Sequence, residues 1–115
     1  HIYPWGNQPP DVKRCNFNRN VRDTSAVGSY PAGASPYGVM DMAGNVWEWV
    51  NDWYQASYYS VSPGSNPLGP TTGESCVLRG GSWGNGDNFV RSACRGYNHP
   101  DVWFNFYSFR CVRSP

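Results

Sequence analysis

Four cysteines, two histidines, eight Asp and Glu residues and many asparagines are the groups in this 115-residue chain able to act on a substrate or hold a metal. Cys15, Cys76, Cys94 and Cys111 never fall in a C-x-x-C pair, so the usual spacing of a zinc site is missing. Two readings of them stay open. Most are small buried hydrophobes, or Cys76 and Cys111 form a disulfide if their strand-like segments are neighbours. His1 and His99 are too few for a two-histidine facial iron site. A nucleophilic pair of Cys94 and His99 would need an orienting carboxylate, and no pattern supplies one. Asp87 and Asp101 read as turn residues, Asp101 directly after Pro100. Hard oxygen donors are better represented. Asn45 and Glu48, next to a backbone bent at Gly44, suit calcium; the alternative is a buried Glu48 held by arginine or backbone donors.

Recognition is written more plainly than reaction. From Leu78 to Arg113 an ordered frame carries an irregular filling. The frame is Arg79-Gly80-Gly81-Ser82-Trp83, Arg91-Ser92-Ala93, Arg95, Asn98, Pro100-Asp101 and Phe109-Arg110. Between lie Gly84, Asn85, Gly86, Phe89, Cys94, Gly96, Tyr97, His99, Val102, Trp103, Phe104, Phe106 and Tyr107. The run 102–107 is too aromatic for a solvated loop and too irregular for a buried strand. Rings held on a loop by a rigid scaffold are what a binding surface uses. The competing expectation is that these rings only cover the sheet.

Those residues need a platform. At this length the chain is one domain and could bury about 65% of its unfolded surface. Charged residues are 15% and aromatics 17%, and 13 glycines with 10 prolines disfavour long helices. The nine basic residues are scattered and the net charge is +1, which argues against a nucleic-acid groove. No apolar run reaches membrane-spanning length, and the opening His1-Ile2-Tyr3-Pro4-Trp5 has no signal-peptide pattern. It reads as the start of a mature or trimmed segment.

Residues 1–36 are mostly connection, with a turn at Asp23-Thr24 leading to a short strand near Val27–Pro31. Tyr37 to Trp53 is expected to be the densest core, with Met40, Met42, Val46, Trp47, Trp49 and Trp53. A strand over 45–50 would put Trp47 and Trp49 on one face and Glu48 on the other. Residues 54–75 form a surface loop. Further strands are expected at Cys76–Arg79, Val90–Arg95 and Tyr107–Val112.

Five blocks carry a family resemblance: Tyr3–Asn7, Val27–Pro31, Tyr37–Trp49, Leu78–Trp83 and Phe109-Arg110. Together they resemble the formylglycine-generating enzyme, or sulfatase-modifying factor, family, in the family's order and across almost the whole chain. The resemblance implies an α+β, C-type-lectin-like fold, loop-rich, with short strands and little helix. The family domain has a preceding half that is not found here. The chain therefore reads as one domain over 1–115, the C-terminal part of the family domain, with the other half expected on a separate chain or segment, or removed. On the residues, the terminal pattern looks most like the variable proteins of diversity-generating retroelements, whose asparagine codons are rewritten by an error-prone reverse transcriptase. That likeness makes 83–108 the variable region, and the filling fits the residues such rewriting produces, Trp103 excepted.

What the resemblance implies for chemistry divides. Formylglycine-generating enzymes use two cysteines after the Gly-Gly-Ser frame, and a thiolate pair is what copper(I) takes. Those positions are Asn85 and Val90 here, so no copper site is expected. Family members acting as sulfoxide synthases draw iron ligands largely from a partner domain, so no iron is expected either. The family places a structural calcium at Asn45, the Val46 carbonyl and Glu48, with a second near Asn16 and Phe17. The reading is thus a non-catalytic display protein for varied, mainly protein, ligands on a bacterial cell surface or phage particle, with a cytoplasmic location left open. An oxidoreductase, or an accessory subunit of the same family, is the alternative.

Overall fold

Alternation along Trp47-Glu48-Trp49 dictates the sheet. In the computed structural model, which describes residues 1–113, β1 spans Trp47–Trp53, β2 Cys76–Arg79, β3 Gly96–Asn98 and β4 Tyr107–Phe109. They lie in the order β3-β2-β1-β4. The β1–β2 and β2–β3 pairs are antiparallel, whereas β4 runs parallel to β1. Registers Trp49↔Leu78, Leu78↔Gly96 and Trp47↔Tyr107 put the first two tryptophans, Leu78, Gly96 and Tyr107 on one face. Glu48, Val77, Arg79 and Tyr97 take the other, as the alternation predicts. Central β2 is sealed on both sides, since Val77 and Leu78 are both buried.

Helix is almost absent: a turn of 3-10 helix at Pro31–Gly33 and one α-helical turn, α1, at Tyr58–Val61. A second core is built by loops alone. Tyr3, Cys15, Phe17, Ala43 and Val90 cluster, with Trp5 stacked on Tyr3 at a ring separation of 5.2 Å. Gly44 locks this cluster to the sheet. Its φ is +77°, and a Cβ there would lie 2.3 Å from the Asn16 carbonyl oxygen, so only glycine fits. The flanking amides close the junction, Gly44 N–H donating to Gly80 and Asn45 N–H to Asn16, each at 2.8 Å.

Several expectations need correction. Val90–Arg95 is not a strand. The Ser92 amide donates to the Ile2 carbonyl and that of Cys94 to Arg91, so the segment turns, and regular pairing begins only at Gly96. Burial of Val90 comes from the loop cluster, which imitates one position of an alternating pattern. The closing strand stops at Phe109, and its neighbour is β1. Val27–Pro31 forms a turn and the start of the 3-10 helix, where the fixed φ of Pro31 suits the first helical position. Around Tyr37 the chain is exposed, not core: Tyr37 and Met42 face solvent, and only Trp47 of the three β1 tryptophans is buried. Residues 54–75 do loop over the surface, with α1 inside them.

The cysteines are all free. β1 lies between β2 and β4, so the segments carrying Cys76 and Cys111 are not adjacent and no disulfide joins them. Only Cys15 is a buried hydrophobe. Burial, reinforced by the negative charges of Asp11 and Asp87, pushes its thiol from 9.0 up to about 12. A raised folded-state value favours the protonated form, so this contribution is complete below pH 9 and lost as pH climbs toward 12. Urea unfolding at pH 8 and pH 11 should therefore show an alkaline loss of stability that is smaller in Cys15→Ala. An equal loss in both proteins would remove Cys15 as its source.

Candidate ligand-binding face

Trp47 is the pivot of the candidate face. Its indole lies over Gly96, where a Cβ would come 3.2 Å from the ring. Phe89 meets it edge-on, 6.4 Å between centroids. Its Nε1–H donates to Asn85 Oδ1 at 2.8 Å, and the same oxygen accepts from the Ser82 amide at 3.0 Å and the Ser82 hydroxyl at 2.8 Å. Three donors on one amide oxygen make Asn85 a tie, not a free contact residue. The backbone repeats the lesson: Asn18 N–H donates to the Asn85 carbonyl and Arg19 N–H to that of Trp83, both at 2.7 Å. Gly84 and Gly86 thus sit on a short loop fixed from both sides.

The aromatic run grades from locked to free. Phe104 and Phe106 stack at 5.0 Å, and Tyr107 stands edge-on to both. Tyr107 also meets Trp49 edge-on at 5.5 Å and receives a hydrogen bond on its hydroxyl from Asn98 Nδ2. Val102, Phe106 and Tyr107 are half-buried, Phe104 is 46% exposed and Trp103 85% exposed. The inner rings cover the sheet while the outer ones face solvent.

Tyr97 is elsewhere. Register turns it to the opposite face from Gly96, where it stacks on Tyr54 at 3.9 Å, with the Arg95 guanidinium over Tyr54 and Tyr59. The thirteen residues of the filling therefore do not share one surface. Cys94 is half-buried and His99 exposed, and His99 Nδ1 faces Asp101 instead. No hydrogen bond joins Cys94 to His99 among the described residues.

Sequence reasoning missed the cleft beside Trp47. It encloses about 820 Å³ and is walled by Arg19, Arg22, Trp47, Trp83, Asn105 and Phe106. Its approach loop has Asn18, Arg19 and Arg22 at φ of 50°, 58° and 67°, the left-handed region that side chains disfavour. The run Asn16-Phe17-Asn18-Arg19-Asn20 was the available signal, since asparagine tolerates that region best.

For calcium the two expected positions differ. Glu48 is clasped by Arg110, whose Nε and Nη2 donate to its two oxygens at 3.0 and 2.6 Å. That carboxylate also raises the Arg110 pKa above its ordinary value. Asn45 Oδ1 accepts from the Ser25 amide at 2.8 Å. With Glu48 neutralised by Arg110, the set of Asn45, the Val46 carbonyl and Glu48 as arranged does not fit a divalent cation. The Asn16 centre fits better. Its Nδ2 faces three oxygens, Asp23 O, Ser25 Oγ and Asn45 Oδ1, while its buried Oδ1 has no partner.

A small mixed sheet, almost without helix and wrapped in long ordered loops, is a C-type-lectin-like domain. The chain belongs to the sulfatase-modifying factor family: the Sulfatase-modifying factor enzyme 1-like domain matches residues 1–115. It is 42% identical over 113 residues to serine/threonine-protein kinase pkn1 of Chlamydia caviae, covering 96% of this chain and 18% of that protein. With the formylglycine-generating enzyme of Streptomyces coelicolor it shares 36% identity over 124 residues, 96% of this chain and 40% of the enzyme. The fold of variable protein 1 of Treponema denticola superposes with a TM-score of 0.70 at 27% identity, covering 84% of this chain and 34% of that one. The chain thus spans less than half the length of these relatives. The likeness to variable proteins read from the terminal pattern recurs in the fold.

The Asn85 tie can be tested directly. Asn85→Ala strands three donors and should cost about 2–3 kcal/mol in chemical denaturation, whereas Asn85→Asp, which keeps the acceptor, should cost less. A neutral Asn85→Ala would return this residue to the free contact surface.

Proposed function

We propose that this protein is a non-catalytic display module whose segment 83–108 varies and binds protein ligands. One observation carries the reading: Trp103 stands in solvent and Phe104 is half-exposed on a run whose next rings, Phe106 and Tyr107, are locked to the sheet. Exposed rings on a fixed base lose little freedom on binding, and such rings dominate interface energetics. The similarity to a variable protein supports the same reading. Relatives named formylglycine-generating enzyme favour the oxidoreductase alternative. Against it, the positions of the two enzyme cysteines are Asn85, engaged by three donors, and Val90, 1% exposed in the loop core. Neither offers a thiolate.

The test is a selection of random phage-displayed peptides on the immobilised chain. Trp103→Ala and Phe104→Ala should weaken the selected binders at least about tenfold, a loss of roughly 1.4 kcal/mol, with the melting temperature nearly unchanged in Trp103→Ala. Tyr107→Ala should lower the melting temperature as well, because its ring also supports Trp49. Unchanged binding in the first two variants would sink the display reading. Variability itself predicts an adenine-rich near-copy of the coding segment for 83–108 beside a reverse transcriptase.

Calcium would serve this module as a staple. The two ends of an asparagine amide have the same shape, and exchanging those of Asn16 gathers four hard neutral oxygens, part of the roughly six to eight that calcium takes. Calcium at a hundredfold excess over its dissociation constant would add about 2.7 kcal/mol. The melting temperature should rise with calcium, fall with EDTA, and respond to neither in Asn16→Ala. Identical melting with calcium and with EDTA in the unaltered protein would rule the staple out.

A further inference from the structure

We infer that the cleft between the Asn18–Arg22 loop and Trp83 receives a carboxylate of the protein ligand, so that the bound segment is acidic. The inference rests on the display reading and adds the chemistry of what is displayed to. Arg19 and Arg22 line the cleft, both are exposed, and neither has an ion-pair partner among the described residues. No Asp or Glu is in the cleft wall. In a chain of net charge +1 this is a local excess of positive charge.

The arginines are held there, not merely scattered nearby. Arg19 and Arg22 both have left-handed backbones, which persist only when surroundings impose them. Two 2.7 Å hydrogen bonds tie Asn18 and Arg19 to the Trp83–Asn85 segment, and the Asn20 side chain braces the loop from inside by accepting from the Phe17 and Val21 amides. A guanidinium is planar and forked, the match for a carboxylate. The remaining wall fits the rest of a peptide. Trp47, Trp83 and Phe106 offer flat apolar contact, and Asn105 offers an amide to peptide groups. Nucleic acid would ask for a longer basic stripe than two arginines provide.

The same peptide selection decides the matter when it is run in parallel on the unaltered chain and on the Arg19→Gln/Arg22→Gln double variant. Peptides recovered on the unaltered chain should be enriched in Asp and Glu, and the double variant should lose that enrichment. For a recovered peptide, replacing its Asp or Glu by Asn or Gln should weaken binding roughly tenfold to the unaltered chain, the scale of a charge-assisted hydrogen bond, and hardly at all to the double variant. Binders with no acidic enrichment, still dependent on Trp103 and Phe104, would overturn this inference and leave the display reading standing. No binders at all would overturn both. Stronger binding of a single-stranded oligonucleotide, through the same two arginines, would replace the peptide by a nucleic acid and overturn it too.

Discussion

The whole face depends on one amide oxygen under one indole. Trp47 is the first residue of β1 and the ring on which Phe89 and the Gly96 backbone rest. Its single polar atom must find an acceptor once the ring is covered, because an indole N–H is donor only. Asn85 supplies that acceptor and shares it with Ser82, so sheet and loop are joined at one point. Beyond this point the chain alternates between packed anchors, Val90 and Gly96, and side chains that face solvent, such as Phe89 and Trp103.

That arrangement explains how a domain with so little regular structure stays ordered. Backbone groups not satisfied by the short strands are satisfied loop to loop, as between Gly44 and Gly80, Asn45 and Asn16, and Trp83 and Asn45. Two small cores replace one large one: the sheet with Leu78 at its centre, and the loop cluster of Tyr3, Cys15, Phe17, Ala43 and Val90. Gly44 and its neighbours connect them. The same loops that close the second core also carry the arginines of the cleft.

Much of this was legible in the sequence, and the failures have physical causes. β1 and β2 could be read because alternation and β-branched residues are local signals, and the blocks around Gly44 and Trp83 gave the fold class. Val90–Arg95 misled because a lone valine buried by distant loops looks like one position of an alternating strand. Met42 and Tyr37 misled because apolar composition does not state which face is covered. Asn85 was read as a free contact residue, since nothing in its type distinguishes an amide that ties a structure from one that meets a ligand. Arg19 and Arg22 were invisible for another reason: their role arises from a contact with residues more than sixty positions away. The exposed Trp103 and Phe104, by contrast, were readable from an aromatic excess with no periodicity to bury it.

Arg110 has a consequence of its own. Its guanidinium grips Glu48 and the carbonyls of Met40 and Asp41, so the chain is moored again just after β4. A segment anchored at both ends behaves as a closed loop, and closure entropy grows only logarithmically with length. Doubling such a span costs about 0.6 kcal/mol. The connection between β3 and β4 lies inside that closure, so a residue added or removed there would cost the fold little.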